Sequence, residues 1–398
     1  MRRPSPVLLL SLLAACPDDG DDTRTSATQS STPTTVTMTG SSGEVVPTGT
    51  TGAPTTSAAS TDASGSATST TGPLTDGTSG TSDTSGTSTT GAVDTTTGTT
   101  TAASSTGEPV VCSDKPGKPA GPEVQIAPAF AGSYTTYELG PVPGIPADAR
   151  LGGCVIAYDD PNSLLIAGYS EAANGQLYRI GVERGNCDHI VAFTGDAVSV
   201  ANTPYIDANL IYVKSGLLFY SEWPVNQLSQ LLPGAAAPAR TTALAVLGVA
   251  NSIGGIGFVP PGYVDEGGMR LLSWAGGEWA HLDRQPDGEL FTVSGAVTTA
   301  TLPNGPGGFA YVPKGSPAFD VDHLIVSEWS TNTVGTYEVD AQGDPVVATR
   351  KDFFTAFPRP WGAYFEPQTG DFMFLTWGAG VDRVYIVQGF EPPPPLPQ

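Results

Sequence analysis

The chain has 398 residues, of which 39 are acidic and 17 basic, so its formal net charge is −22. From Cys112 onward, 29 acidic residues stand against 14 basic ones, a balance that repels nucleic acid and anionic lipid. We therefore expect no nucleic-acid partner, and the part after Cys112 is long enough to bury one large core.

The first 15 residues have the features of an export signal. Arg2 and Arg3 precede an apolar run from 7 to 13, which is far shorter than the roughly 20 residues that cross a bilayer. The stretch 13–16, Leu-Ala-Ala-Cys, resembles the bacterial lipobox. That resemblance implies cleavage before Cys16, lipid on its thiol, and a membrane as the first partner. The alternative is an ordinary signal peptide with a chance cysteine.

Residues 16–111 form a Thr/Ser/Gly-rich segment with isolated apolar residues. Such a composition cannot bury enough surface to offset its ordering entropy, so we expect a disordered stalk. The stalk would act as a spacer between a membrane and the following domain, although a segment without a selected length is the alternative. The expected location is the cell envelope, at the outer membrane or surface of a Gram-negative bacterium.

Internal repeats organise the C-terminal part. Five similar segments step by 54, 46, 53 and 54 residues when their aromatic residues are aligned, namely Tyr158, Tyr212, Phe258, Tyr311 and Phe365. Each is followed by two further strand-like runs, and four units show a fourth run, at 189–193, 243–247, 289–293 and 345–349. Four strands per unit of about 50 residues predict an all-β fold, a β-propeller.

The ends of the repeat region indicate how the ring closes. The fifth unit stops near Phe390 after three strands, and the Pro-rich tail 391–398 cannot continue a sheet. The alternating run 134–139 before the first unit supplies the missing strand. We therefore predict five blades over residues 112–390, closed by an N-terminal strand. A sixth blade within 112–153 and a pair of β-sandwiches are the alternatives.

The blade layout resembles the extracytoplasmic propellers that include NHL-repeat and gluconolactonase-like proteins. The resemblance covers about 134–390 and implies the fold more than the function, because propellers host many activities. Gluconolactonase-like enzymes bind a divalent metal at the channel with Glu, Asn and Asp ligands. No residue-by-residue match to that pattern can be made here, so enzyme activity is left open and a non-catalytic binding module is favoured.

Acidic turn residues form the candidate site. In a propeller, the turns between second and third strands share one face, and here each turn carries a carboxylate. The predicted ring comprises Glu171, Glu222, Glu278, Glu328 and Asp382, with Asn226 and Asn332 nearby. Such a ring could hold Ca²⁺, or a basic or sugar ligand, which makes Ca²⁺ the one candidate cofactor. The alternative is that these residues recur because each turn needs them.

Five tryptophans are a second candidate feature: Trp223, Trp274, Trp329, Trp361 and Trp377. At the channel mouth they could stack on sugars or apolar ligands; otherwise they wedge between neighbouring sheets. No His-x-x-x-His or Cys-x-x-Cys pair occurs, which argues against zinc. An unidentified extracellular or periplasmic ligand and a monomeric state are expected.

Three cysteines remain after Cys16. The blade layout puts Cys187 in a turn at the bottom of the first blade, and Cys112 precedes the closing strand. Cys154 begins an inner strand near the opposite face. We therefore predict a disulfide between Cys112 and Cys187, which an oxidising compartment permits, and a buried free thiol at Cys154.

Overall fold

The computed structural model describes residue 112 and residues 114–395. The predicted signal peptide, lipid-bearing Cys16 and stalk lie in residues 1–111, outside the described residues, as do the last three residues of the tail. No helix within the described residues is long and apolar enough to cross a membrane.

Twenty-two strands and three short 3-10 turns make up the described chain. Three strands precede the repeat units: β1 (Lys118–Pro119), β2 (Gln125–Ile126) and β3 (Thr135–Gly140). Blade one contains β4 (Leu151–Ala157), β5 (Asp160–Gly168), β6 (Gln176–Arg184) and β7 (Ile190–Asn202). Blade two contains β8 (Ile206–Tyr212), β9 (Leu218–Glu222), β10 (Gln227–Leu231) and β11 (Arg240–Ala243). Blade three contains β12 (Ile253–Phe258), β13 (Met269–Ser273), β14 (Glu278–Asp287) and β15 (Leu290–Thr301).

The last two blades each recruit N-terminal strands. Blade four contains β16 (Pro306–Tyr311), β17 (His323–Glu328), β18 (Thr333–Glu338) and β19 (Lys351–Ala356), and β2 pairs with β19. Blade five contains β20 (Pro360–Phe365), β21 (Phe372–Thr376) and β22 (Val384–Gln388), followed by β3 and then β1 at its outer edge. The 3-10 turns are Ala245–Leu247, Trp329–Thr331 and Val347–Thr349.

The five-bladed propeller and its closure by an N-terminal strand are confirmed. β3 pairs antiparallel with β22, one residue later than the predicted run 134–139. An aromatic cluster supports this closure: Phe390 follows β22, and its ring centroid lies 4.3 Å from that of Tyr134. Phe353 packs against both rings. Because this cluster joins both ends of the domain, closing the ring also buries its terminal segments.

Burial follows strand position within each blade. The inner strand β4 and the second strand β9 are buried along their whole length, since neighbouring strands and blades cover both faces. The outer strand β15 is mostly exposed. This gradient of burial explains why the inner strands are continuous apolar runs in the sequence, whereas the outer strands contain both apolar and polar residues.

Two of the four predicted outer strands were wrong. In blade two the strand is β11, and the predicted segment 243–247 is largely a 3-10 turn that ends at Gly248, where φ is +99°. In blade four, 347–349 is a 3-10 turn and the outer strand is β19, whose Phe353 and Phe354 are fully buried. Neither 3-10 turn buries its apolar side chains, and Val246 and Val346 are exposed, so apolar residues in these segments do not mark strands.

Candidate functional site

The central channel is closed halfway by glycine-rich inner strands. A Cβ added at Gly153 would lie 2.5 Å from the carbonyl oxygen of Ala208, and one at Gly362 would lie 2.5 Å from that of Gly152. Inner strands therefore approach each other backbone to backbone, which only glycine allows. The Asn209 side chain lies across the axis, where its Nδ2 donates to Ala363 O at 2.9 Å. The channel is thus divided into an upper mouth, where inner strands begin, and a lower mouth, where they end.

Two carboxylates of the predicted ring are engaged within their own blades. Glu328 is fully buried; its oxygens accept from Arg350 Nε and Tyr337 Oη, both at 2.7 Å. Glu222 is also buried, and Ser229 Oγ donates to its carboxylate. Burial raises the pKa of Glu222. Both side chains join the second strand of a blade to its outer strands.

Two further carboxylates of the ring, Asp382 and Glu278, also have protein partners, although Glu278 Oε2 has none among the described residues. Asp382 accepts from the backbone N–H of Ala379 at 3.1 Å and of Leu151 at 3.3 Å, and burial raises its pKa. Glu278 Oε1 accepts from Asn251 Nδ2 at 2.5 Å.

The two asparagines of the ring occupy turn positions. Asn226 and Asn332 have φ values of 52° and 55°, the left-handed conformation that asparagine tolerates in turns. Among the described residues, the ring carboxylates form no group of three ligand atoms within 4.8 Å of one another.

The tryptophans form a continuous arc around the upper mouth. Trp223, Trp274, Trp329 and Trp377 each directly follow the second strand of blades two to five. Neighbouring ring centroids along this arc are 5.9–6.2 Å apart, in tilted or edge-to-face contact. Trp361, from the inner strand of blade five, lies buried inside the arc and contacts both Trp329 and Trp377.

Blade one interrupts the arc with an acidic pair. Its backbone bulges at Tyr169, where φ is 50°. Because of this bulge, Ser170 occupies the position that tryptophan has in the other blades, and the Ser170 N–H donates there. Glu171 follows, and its N–H donates to Ile206 O at 3.0 Å, next to Asp207. Asp207 is fully buried and its Oδ1 accepts from Trp361 Nε1 at 2.7 Å.

This pair cannot carry two negative charges at neutral pH without a large cost. Burial raises the pKa of Asp207 well above its ordinary value, although the hydrogen bond from Trp361 lowers it in part. Burial and the charge of Asp207 together raise the pKa of Glu171. The two groups therefore hold at least one proton between them, and the uptake of a proton or a hydrogen-bond donor is favoured.

Several buried polar atoms at the upper mouth lack partners. Asp207 Oδ2, Trp274 Nε1 and Trp377 Nε1 have no partner at normal hydrogen-bond geometry among the described residues, although Ser170 and the N–H of Ala208 lie close enough to lower the pKa of Asp207 in part. A Cβ added at Gly254 would lie 3.3 Å from Asp207 Oδ2, so this oxygen faces the channel axis. Buried polar groups normally have partners, so unpaired ones at a mouth mark a place for a ligand or water.

Asp207 did not emerge from the repeat alignment as a site residue. The signal lay in comparing the second residues of the five inner strands, which are Gly152, Asp207, Gly254, Gly307 and Trp361. A carboxylate at a position that is otherwise glycine or tryptophan is the departure that marks the site.

The lower mouth opens into a cavity of about 1000 Å³. Aromatic residues at the ends of the inner strands line it, including Tyr212, Phe258 and Tyr311, and Pro393–Pro395 border it. Tyr311 Oη donates to Gly343 O at 2.7 Å. None of the unpaired polar atoms among the described side chains belongs to this lining.

A sulfur cluster lies on the lower face. Ligand atoms of Cys112, Asp114 and Cys187 lie within 4.8 Å of one another, and both cysteines are free thiols. A hydrogen bond with the Cys112 thiol is the main cause that raises the pKa of Cys187 to about 11. Cys154 is a buried free thiol, and burial raises its pKa. The structure thus brings together the two cysteines of the predicted pair.

Comparison with known proteins finds distant structural likeness only. No family model matches the chain, and no curated protein matches it. A gluconolactonase from Xanthomonas campestris is 14% identical, with a TM-score of 0.38 over 70% of this chain and 99% of that one. A PQQ-bound aldose sugar dehydrogenase from Streptomyces coelicolor is 12% identical, with a TM-score of 0.37 over 69% and 96%. An auxiliary nutrient binding protein from Bacteroides ovatus is 8% identical, with a TM-score of 0.37 over 64% and 76%.

Proposed function

We propose that this β-propeller is a membrane-tethered, extracytoplasmic recognition module that binds a polyhydroxylated ligand, such as a saccharide, at its upper mouth. The observation that carries the proposal is Asp207, a fully buried carboxyl group with an unpaired oxygen that faces the channel axis. Three other blades have glycine at the same position, so the blade repeat itself does not require a carboxyl group there.

The unpaired atoms favour hydroxyl groups as the recognised chemistry. Asp207 Oδ2 can donate when the carboxyl holds its proton and accept when it does not, whereas Trp274 Nε1 and Trp377 Nε1 only donate. A hydroxyl both donates and accepts, so hydroxyl groups match the chemistry of all three atoms. A simple cation would leave both indole N–H groups without an acceptor, and it would meet Arg359, whose guanidinium carbon lies 4.7 Å from the Trp329 centroid. The indole rings supply apolar surface for a sugar face.

The attachment of the stalk supports display of this mouth. The described chain begins at Cys112, beside Cys187 on the lower face. The proposed lipid on Cys16 and the spacer 16–111 would therefore join the domain on the face opposite the upper mouth. In this arrangement the mouth is free to meet ligands beyond the envelope surface.

Intrinsic tryptophan fluorescence tests the proposal, because tryptophans line the mouth. The whole secreted protein is titrated with methyl glucoside, a mixture of oligosaccharides, tetramethylammonium and Ca²⁺. We expect a saturable change with a saccharide, and a loss of at least tenfold in affinity in Asp207→Asn. Asp320→Asn, at an exposed position, is the matched control. Saturation by tetramethylammonium alone, or equal affinities in both variants, would refute the proposal.

A metal-dependent, lactonase-like or other hydrolase is the second candidate function. The specific observation in its favour is the acidic pair, since a buried carboxyl with a raised pKa next to another carboxyl can serve as a general acid. A thermal melt in Ca²⁺ and in chelator separates the two functions, because a bound metal stabilises the folded protein. A shift in melting temperature together with turnover of a lactone would favour the enzyme.

A further inference from the structure

The N-terminal segment of the domain crosses the junction where the propeller ring closes. Gly117 N donates to Val191 O in β7 of blade one at 3.0 Å, and β1 then pairs with β3 at the outer edge of blade five. β2 continues into blade four before β3 returns to blade five. Because the ring is closed by β3 rather than by a covalent bond, this segment determines whether blade five stays attached to its outer strands.

Asp114 already fixes the start of this segment. Its carboxylate accepts from Asn186 N at 2.9 Å and from Cys187 N at 2.7 Å, in the lower turn of blade one. Its carbonyl accepts from Gln388 Nε2 of blade five at 3.4 Å. These contacts hold the two chain segments together, so the Cys112 and Cys187 sulfurs are neighbours before any bond forms.

We propose that Cys112 and Cys187 form a disulfide that stabilises the closure of the ring. Tension applied through the stalk is then transmitted to blade one, and it does not detach β1, β2 and β3. The inference rests on the extracytoplasmic part of the proposed function, because an oxidising compartment is needed. It does not depend on any ligand at the upper mouth.

The bond forms by exchange with an external protein disulfide. The thiolate of the exposed Cys112 attacks the oxidant's sulfur–sulfur bond, and one oxidant cysteine leaves as a thiolate. The Cys187 thiolate then attacks Cys112 Sγ in the mixed disulfide and releases the second oxidant cysteine. Two thiol protons and two electrons are thereby transferred, and the oxidant leaves as a dithiol.

Peptide mapping of the whole secreted protein without reduction tests the bond. We expect one cross-linked peptide pair that contains Cys112 and Cys187, and an unlinked Cys154 peptide. A bond that involves Cys154, or unlinked peptides in a protein that carries a stoichiometric metal ion, would overturn the proposal.

Hydrogen exchange tests the consequence for the closing strands. Cys112→Ser is the informative variant, because Cys112 is exposed and its loss leaves no cavity. In this variant, and in reduced wild type, we expect the amide of Lys118 in β1 and the amides of β3 to exchange at least fivefold faster than in oxidised wild type. Amides of β8 and β12 serve as internal controls. Equal exchange rates in all samples would overturn the proposal that the disulfide stabilises ring closure, even if the disulfide is present. Saccharide binding tests the upper mouth separately.

Discussion

The substitution Asp207→Asn is expected to stabilise the domain while it weakens the site. The buried carboxyl keeps its proton in the folded state well above pH 4, where an unfolded aspartate has lost it. The folded state then binds more protons than the unfolded state, so the free energy of unfolding falls as pH rises. The amount by which this carboxyl group lowers the free energy of unfolding is smallest below about pH 4 and grows with pH until the pH reaches the raised pKa.

The size of the effect follows from one proton. A single proton bound only in the folded state changes the free energy of unfolding by about 1.4 kcal/mol per pH unit. Between pH 5 and pH 7, the wild type should therefore lose up to about 3 kcal/mol relative to Asp207→Asn. Asparagine keeps an oxygen for the hydrogen bond from Trp361 Nε1 and has no charge to bury.

Urea denaturation followed by tryptophan fluorescence measures this difference at pH 5, 6 and 7. Comparing wild type with the variant at each pH cancels contributions from titrating groups away from Asp207, including His189; Glu171 does not cancel, so the difference reports the acidic pair together. Asp320→Asn is again the control and should run parallel to wild type. If Asp207→Asn also runs parallel to wild type, the carboxyl does not hold its proton in the folded state and the reasoning fails.

Three further outcomes are expected. Glu328→Ala should lower the free energy of unfolding by about 1–3 kcal/mol in urea, because the buried Tyr337 hydroxyl loses its acceptor and Arg350 keeps only Asp352 as an ion-pair partner; saccharide affinity of the folded fraction should not change. Gly153→Ala should cost about 1–3 kcal/mol through its clash with a backbone oxygen, whereas Gly132→Ala, with open space around it, should cost far less. The hydrogen bond to Asp371 raises the pKa of His189. The contribution of this pair to the free energy of unfolding is therefore lost as the pH rises through the raised pKa of His189. Asp371→Asn should move the His189 midpoint in an NMR titration to lower pH.

The repeat and its closing strand were predictable because they depend on local patterns. Aligned aromatic residues fixed the blade period, and the alternating run before β4 pointed to β3. The outer strands of blades two and four were not predictable in the same way. Leu244 is fully buried although it precedes a 3-10 turn, so burial alone could not distinguish a turn from a strand.

The candidate site was harder to predict because its chemistry depends on distant partners. Glu222 and Glu328 stand at equivalent positions, as the repeat suggested, yet Arg350 pairs with Glu328 from 22 residues away. Glu171 belongs to a bulged turn, so its side chain meets Asp207 of the next blade rather than its own strands. Only the pairing of strands in the folded structure shows which carboxyl groups bind structural partners and which do not.

The upper mouth contains a side chain, Asp207, that lowers the stability of the domain. This cost indicates that the upper mouth, rather than the lower one, is where function has been selected. Glycine at 152, 254 and 307 shows that the fold accepts a residue without a side chain where Asp207 stands. Asp207 instead buries an ionisable group, leaves one oxygen unpaired and raises the pKa of Glu171. Each of these effects destabilises the domain, and the hydrogen bond from Trp361 of blade five, which glycine would lose, offsets only part of that cost. A side chain that costs stability where the fold does not need it is best explained by the ligand that pairs with it.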